Sequence, residues 1–372
     1  MGNKLRIGLI YGGKSGEHDV SLQTAFAVLK EFDYAKYEVL PFYITKQGKW
    51  NKGDYLDSPP ESLESLRLDK RNSREQFATA AAIQSVFSKL DDSVGAKPNA
   101  EADVYFPLLH GTNGEDGTIQ GMFELADVPY VGAGVLASAL GMDKVMMKKI
   151  FAEAGLPQCK FHYFNRYQWG KDQAFFIMET EVAIGYPCFV KPSNLGSSVG
   201  VSKAHNRDEL IEAVNKAFQY DRKVIVEQFV DAREIEVSVI GNEDPDASVP
   251  GEVVSSNDFY DYKAKYVDGT SVMIIPAEIR PEVADEIREL AIKAFQAIDG
   301  CGLARVDFFL RKDDEAILLN EINTMPGFTP FSMYPLLWKE SGKSYAKLLD
   351  ELIELALRRY EDKQRIQYHF EL

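Results

Sequence analysis

The sequence predicts an α/β protein that continues into mixed α+β regions. Three observations carry this. Short apolar runs alternate with helix-spaced runs over the first third, a lysine-led glycine and serine loop interrupts the middle, and a long two-stranded hairpin dominates the last third. With 372 residues, 45% hydrophobic and 27% charged, the chain has material for two or three domains with real cores.

The first strand is read in "LRIGLIYGG", which ends in glycines. "SLQTAFAVLKEF" then places Leu22, Ala25, Phe26 and Leu29 at helical spacing. "YEVLPFYIT" and "DVYFPLLHG" read as further strands, and "GTIQGMFELA" as a helix. This is a doubly wound layout, so ligands are expected at the carboxyl ends of its strands, where the loops "GGKSGEHDVS" and "HGTNGEDGT" fall. Residues 51–102 are polar, contain one convincing helix, and read as a peripheral insertion. "MDKVMMKKIFAEAG" reads as a helix capped by Asp143 and stopped at Gly155-Leu156-Pro157. "YPCFVKP", "VGVSKA" and "KVIVEQFV" follow as strands around the helix "DELIEAVNKAFQ". The last region offers "EIEVSVIG", "PGEVV", the helix "PEVADEIRELAIKAFQAI", two strands, and a final helix near "YAKLLDELIELALRR".

A formal net charge of −15 argues against a nucleic-acid partner. Cys159, Cys188 and Cys301 are odd in number and far apart, which suits reduced thiols in a cytoplasmic protein. No membrane-spanning run is present in the sequence.

The two apolar runs of "LARVDFFLRKDDEAILLNEINTMPG" flank a polar tip, a hairpin signal. With the turn centred on Asp314, Asp307 faces Glu321 and Arg305 faces Asn323. Opposed carboxylates destabilise a hairpin unless a cation joins them. Asp307, Glu321 and the amide oxygen of Asn323 are a hard-oxygen set suited to magnesium. A solvated acidic face is the bland alternative, and the neighbouring Phe308, Phe309, Leu318 and Leu319 speak against it. Magnesium in such a place implies phosphate, and Lys144 and Lys191 are the candidate phosphate lysines. "SNLGSSVG", directly after Lys191 and Pro192, supplies backbone N–H groups at Gly196, Ser197 and Ser198, the inventory of an anion nest.

Eight motifs in order, from "GGKSGEHDVS" and "HGTNGEDGTIQG" through "MDK", "VKPSNLGSSVG", "VEQFVDAREIEV" and "YDYKAKY" to "RVDFF" and "NEINTMPGFTPFSMYP", carry a resemblance. The chain resembles the ATP-grasp superfamily, and within it the D-alanine–D-alanine ligases. The resemblance implies a Rossmann-like domain over 1–134 and ATP-grasp subdomains over 135–230 and 231–372, with the nucleotide held between two sheets. It implies that Lys144, Lys191, Ser197, Ser198 and Lys265 serve the phosphates. Glu227 and the backbone near Val230 would meet adenine, and Glu234 the ribose. Glu17 and His110 would attend the first D-alanine, and Ser332 and Met333 the carboxylate of the second. Arg305 and the Gly327 N–H would hold an oxyanion, while Ser197 and Tyr266 close a lid toward Glu17. ATP, two Mg²⁺ ions replaceable by Mn²⁺, and a homodimer are implied with them.

Glu17 and His110 each have an ordinary alternative, a helix cap for Glu17 and a satisfied loop histidine for His110. D-alanine–D-lactate and D-alanine–D-serine ligases are the near rivals, and within the family Tyr266 favours D-alanine as second substrate. A nicotinamide dehydrogenase is disfavoured because "GGKSGE" lacks the G-x-G-x-x-G spacing. An inactive nucleotide-binding regulator would have lost a ligand or a lysine, and none is missing.

Overall fold

A computed structural model describes residues 4–68, the backbone of 75–77, and residues 101–254 and 272–367. Lys265, Tyr266 and most of the predicted insertion lie outside the described residues. Three sheets form among those described.

The first sheet is built on β1 (Leu5–Gly12), with β2 (Tyr37–Ile44) and β5 (Val104–Leu108) parallel on either side. Both faces are covered, which is why these strands are apolar almost without interruption. Ile7, Leu9 and Tyr11 face helix α1 (His18–Glu31), whose Leu22, Ala25 and Leu29 are buried as the spacing predicts. Ile10 and Phe42 face the other way, against Ile119 and Phe123 of α2 (Thr118–Ala126). Gly12 (φ +90) ends β1 in a conformation that L side chains rarely adopt, and a Cβ there would lie 2.2 Å from the Ile44 carbonyl oxygen. The predicted insertion begins differently from expectation. β3 (Trp50–Lys52) and β4 (Glu75–Phe77) extend the edge of this sheet in antiparallel pairing.

The chain then forms α3 (Val135–Met142) and α4 (Lys144–Glu153). Asp143 caps α4 as its position predicts, accepting hydrogen bonds from the Val145 and Met146 N–H groups at 3.2 Å. The second sheet orders β6 (Phe161–Asn165), β9 (Lys223–Gln228), β7 (Cys188–Pro192) and β8 (Ser202–Ala204), all antiparallel. One face packs on α5 (Arg166–Lys171), α6 (Gln173–Ala183) and α7 (Arg207–Ala217) through Trp169, Ile177 and Leu210. β6 is a strand the sequence did not announce, because its residues are mostly half-buried and show no clean alternation.

The third sheet runs β13 (Val272–Ile274), β12 (Gly251–Val254), β10 (Ala232–Gly241), β14 (Gly302–Arg311) and β15 (Ile317–Asn323), with β11 (Asp246–Ala247) beside β10. Ala304, Val306, Phe308 and Leu310 of β14 point into a core shared with α4 and with α8 (Pro281–Ala297). The opposite face of β14 therefore carries Arg305, Asp307 and Phe309. Short α9 (Met333–Glu340) precedes α10 (Tyr345–Lys363), whose Leu348, Leu352 and Ile353 join the core of the first sheet. No helix among the described residues is long and apolar enough to cross a membrane.

Candidate active site

The β14–β15 ladder pairs Asp307 with Glu321 and Arg305 with Asn323, as the sequence predicts. The reason differs from the one assumed. The hairpin tip is not centred on Asp314, since Leu310 pairs with Ile317 and Phe308 with Leu319. A shift between Asp307 and Phe308 leaves Asn320 as an extra residue in β15. The displaced tip and the bulge cancel, which restores the predicted carboxylate pairing.

Around this pair the charges are tightly matched. Arg305 donates from Nε and Nη2 to the two oxygens of Asp307, both at 2.7 Å, and its Nε lies 3.0 Å from Glu236 Oε2. The Asn323 amide donates to Asp307 Oδ2 at 3.1 Å. Lys144 Nζ lies 3.2 Å from Glu321 Oε2 and donates to the Leu195 carbonyl at 3.1 Å, tying α4 to the serine and glycine loop. Burial opposes the charge of Arg305, but Asp307, Glu236 and Glu321 outweigh it and hold the guanidinium firmly protonated.

On the second sheet, Lys191 Nζ lies 2.5 Å from Glu227 Oε2. Lys148 Nζ lies 3.0 Å from the other oxygen of the same carboxylate. Burial would raise the pKa of Glu227, yet the two ammonium groups pull it down to about 2. Its carboxylate thus meets two lysines.

A cavity of about 510 Å³ lies between the two sheets. Lys144, Lys191, Ser197 and Ser198 line it, as do Asp307, Glu321 and Asn323. Glu227, Val230 and Glu234 border it where β9 passes into β10, together with Phe189 and Phe229. Ser197 (φ 54) and Ser198 (φ 58) both adopt the left-handed conformation, an uncommon state for residues with side chains.

A second group gathers at the carboxyl ends of β1 and β5. Glu17 is the N-cap residue of α1 but makes no side-chain cap. Its carboxylate instead approaches two loops, so that a Cβ on Gly111 or on Gly196 would lie 3.1 or 3.0 Å from Oε1. His110 is buried, with Nε2 3.0 Å from Thr24 Oγ1 and Nδ1 3.8 Å from Glu115. Burial disfavours its protonation, but Glu115 and Glu17 prevail and raise its pKa. Gly327 packs against Ser332, whose hydroxyl accepts from the Thr329 N–H at 3.0 Å and lies 2.8 Å from Thr329 Oγ1. Ser332 is the N-cap residue of α9, and the Met333 side chain is buried beside Val253 and Leu337. What Met333 offers a ligand is thus a first-turn N–H.

The same arrangement has known relatives. Residues 6–133 match the family described as D-ala D-ala ligase N-terminus, and residues 150–354 match D-ala D-ala ligase C-terminus. The chain belongs to the D-alanine–D-alanine ligase family. The family member of Bacillus cytotoxicus is 53% identical over 365 residues, covering 98% of this chain and 99% of its own. That of Geobacillus kaustophilus is 51% identical, covering 99% and 98%. The solved D-alanine-D-alanine ligase of Coxiella burnetii superposes with a TM-score of 0.78 at 32% identity, covering 98% and 97%. The VanG D-Ala:D-Ser ligase of Enterococcus faecalis superposes with a TM-score of 0.82 at 35% identity, covering 95% and 100%.

Within this D-alanine–D-alanine ligase family member, sequence reasoning missed Lys148 and Glu236. Lys148 sits one helical turn beyond Lys144, a spacing that puts both on one face. Glu236 is two residues from Glu234 in β10, directly opposite Asp307, and the alternation alone could have found it.

The donor set fits a divalent cation. Two carboxylates oppose each other on adjacent strands, which is the hard-oxygen chemistry such ions take, and the Asn323 side chain beside them carries an amide oxygen as well as the nitrogen now bonded to Asp307. Charge is also divided in a useful way. Glu236, Asp307 and Glu321 outnumber Arg305 and Lys144 at one end, while Lys148 and Lys191 outnumber Glu227 at the other.

Proposed function

We propose that this chain joins two D-alanine molecules into D-alanyl-D-alanine at the expense of ATP, for peptidoglycan precursor synthesis. The observation that carries it is the opposition of Asp307 and Glu321 in a cavity that Lys144, Lys191 and the Ser197–Ser198 turn also line. The family membership and the identity of about half the residues with named D-alanine–D-alanine ligases support it.

A carboxylate resists attack by an amine because it has no adequate leaving group. Transfer of the ATP γ-phosphoryl group to the first D-alanine carboxylate gives an acyl phosphate and ADP. The second D-alanine amine then attacks that carbonyl, and phosphate leaves. Glu17 holds the first ammonium beside His110, and Ser332 with the Met333 N–H receives the second carboxylate. Arg305 and the Gly327 N–H stabilise the developing oxyanion. Lys144 and Lys191 neutralise phosphate charge, and Glu234 receives the ribose. Asp307, Glu321 and Asn323 would hold Mg²⁺ or Mn²⁺, which supplies positive charge to the transferring phosphoryl group. Closure of the 193–200 loop excludes water, which would otherwise hydrolyse the acyl phosphate.

Three distinct sheets, the first within 5–108, the second within 161–228 and the third within 232–323, support domain limits near 134 and 230. Exposed Leu125 of α2 and Leu136 of α3 support a second copy of the chain against these helices, and free cysteines support a cytoplasmic setting.

The test is incubation with MgATP and D-alanine, with phosphate release measured and the dipeptide sought by mass. D-lactate and D-serine are offered in parallel. Turnover confined to either of those would move the assignment to a sister ligase, and an absence of ATP turnover would remove it.

A further inference from the structure

Lys148 is 1% exposed, yet it is a lysine in the middle of α4. Its ammonium sits between two sheets. From the second sheet it meets Glu227 Oε1 at 3.0 Å, and it donates to the Asn320 carbonyl of the third at 3.2 Å. Asn320 is the bulge residue that restores the Asp307–Glu321 pairing. Cys159 Sγ lies 3.9 Å away, and the Phe161 ring centre 6.0 Å. Glu227 is itself buried, and its other oxygen holds Lys191.

The geometry points to Lys148 as a positioning residue of the nucleotide site. This rests on the nucleotide reading above and deepens it. A lone Glu227–Lys191 pair is neutral and has little to offer a phosphate. With Lys148 sharing the carboxylate, the trio carries one net positive charge, and Lys191 keeps the surplus on the cavity side. Lys148 does this without entering the cavity lining. Its second bond anchors the bulge, so one ammonium group sets the charge of the lysine wall and the register of the acidic wall. Lys144, on the same helix, reaches Glu321 directly.

The charge arithmetic separates this role from simple packing. Lys148→Met leaves the Glu227–Lys191 pair neutral, and Lys148→Met with Glu227→Gln returns the net charge to that of the wild type. Dissociation constants for MgATP are read by calorimetry on the full chain, with KM for D-alanine and thermal midpoints alongside. The expected result is that Lys148→Met weakens MgATP binding by on the order of tenfold while KM for D-alanine changes little. The double variant recovers at least half of that loss on a logarithmic scale, and Lys148→Arg binds within a few-fold of wild type. A folded Lys148→Met with wild-type affinity overturns the inference. If that variant does not fold, the double variant decides, its one remaining charge being Lys191 at the cavity, and a MgATP affinity tenfold or more below wild type overturns it. A wild-type chain that binds no MgATP would instead sink the nucleotide reading itself.

Discussion

Asp307 lies directly across the sheet from Glu321, and both of its oxygens are bonded to the Arg305 guanidinium two residues earlier on the same strand. A prospective metal ligand and a prospective oxyanion donor therefore share one hydrogen-bonded unit. The same fork that orients the carboxylate fixes the plane of the guanidinium.

Asp307→Ala removes one of the two opposed carboxylates and the bidentate partner of Arg305. Turnover is expected to fall by more than about a hundredfold at saturating ATP. Phosphate release measured across a Mg²⁺ and Mn²⁺ titration checks this, and near-normal activity would refute the metal assignment.

Asp143 joins the cap of α4 to the second sheet, since it also accepts from Ser193 Oγ at 2.8 Å and pairs with Lys223. Asp143→Ala is expected to cost about 1–2 kcal/mol of stability at neutral pH. Burial raises its pKa, but Lys223, Ser193 and the helix N–H groups lower it further, so the net shift is downward. The contribution of this carboxylate is thus complete above its ordinary value of 3.8 and is lost as pH falls through the depressed one. Denaturant titrations of both proteins at pH 7 and in acid measure the difference.

His110 has the opposite sign. Burial opposes its charge, yet Glu115 and Glu17 raise its pKa above 6.5. Its protonated form therefore stabilises the fold fully below pH 6.5, and that contribution fades as pH rises through the folded-state value. The thermal midpoint gap between wild type and His110→Gln is expected to be wider at about pH 6 than at about pH 8.5. A gap that stays constant or widens toward alkaline pH contradicts the assignment.

Gly196 sits where the loop meets Glu17. A Cβ there would lie 3.0 Å from Oε1, close enough that the carboxylate must move by a few tenths of an ångström. Gly196→Ala is expected to raise KM for D-alanine roughly 3- to 10-fold with an unchanged thermal midpoint, since a slight misplacement of a positioning group is costly. Steady-state kinetics beside a melting curve test it. Unaltered kinetics would show that Glu17 tolerates the displacement.

Much of this was legible in the chain itself. The alternation of "RVDFF" puts Arg305 and Asp307 on one face of β14, and that of "NEIN" puts Glu321 and Asn323 on one face of β15, because side-chain direction within an unbroken stretch follows parity. Asp143 was legible as a cap because a short acidic side chain reaches the first helix N–H groups without any long-range contact. The buried lysine was not. Spacing puts Lys148 on the Lys144 face of α4, but only the approach of β9 and β15 gives it a carboxylate and a carbonyl.

The sequence by itself determined the apolar strands, the capped helix and the parity of the acidic hairpin, since each follows from backbone geometry and near-neighbour spacing. Tertiary structure alone decided the rest. It placed α10 beneath the first sheet, where Lys36 and Tyr37 meet Asp350 at 2.7 Å, and it set the bulge at Asn320 that keeps Asp307 opposite Glu321. It also gave Glu227 to two lysines. A buried charge is tolerable only where distant segments bring its counter-ion, and that meeting is a property of packing rather than of local order.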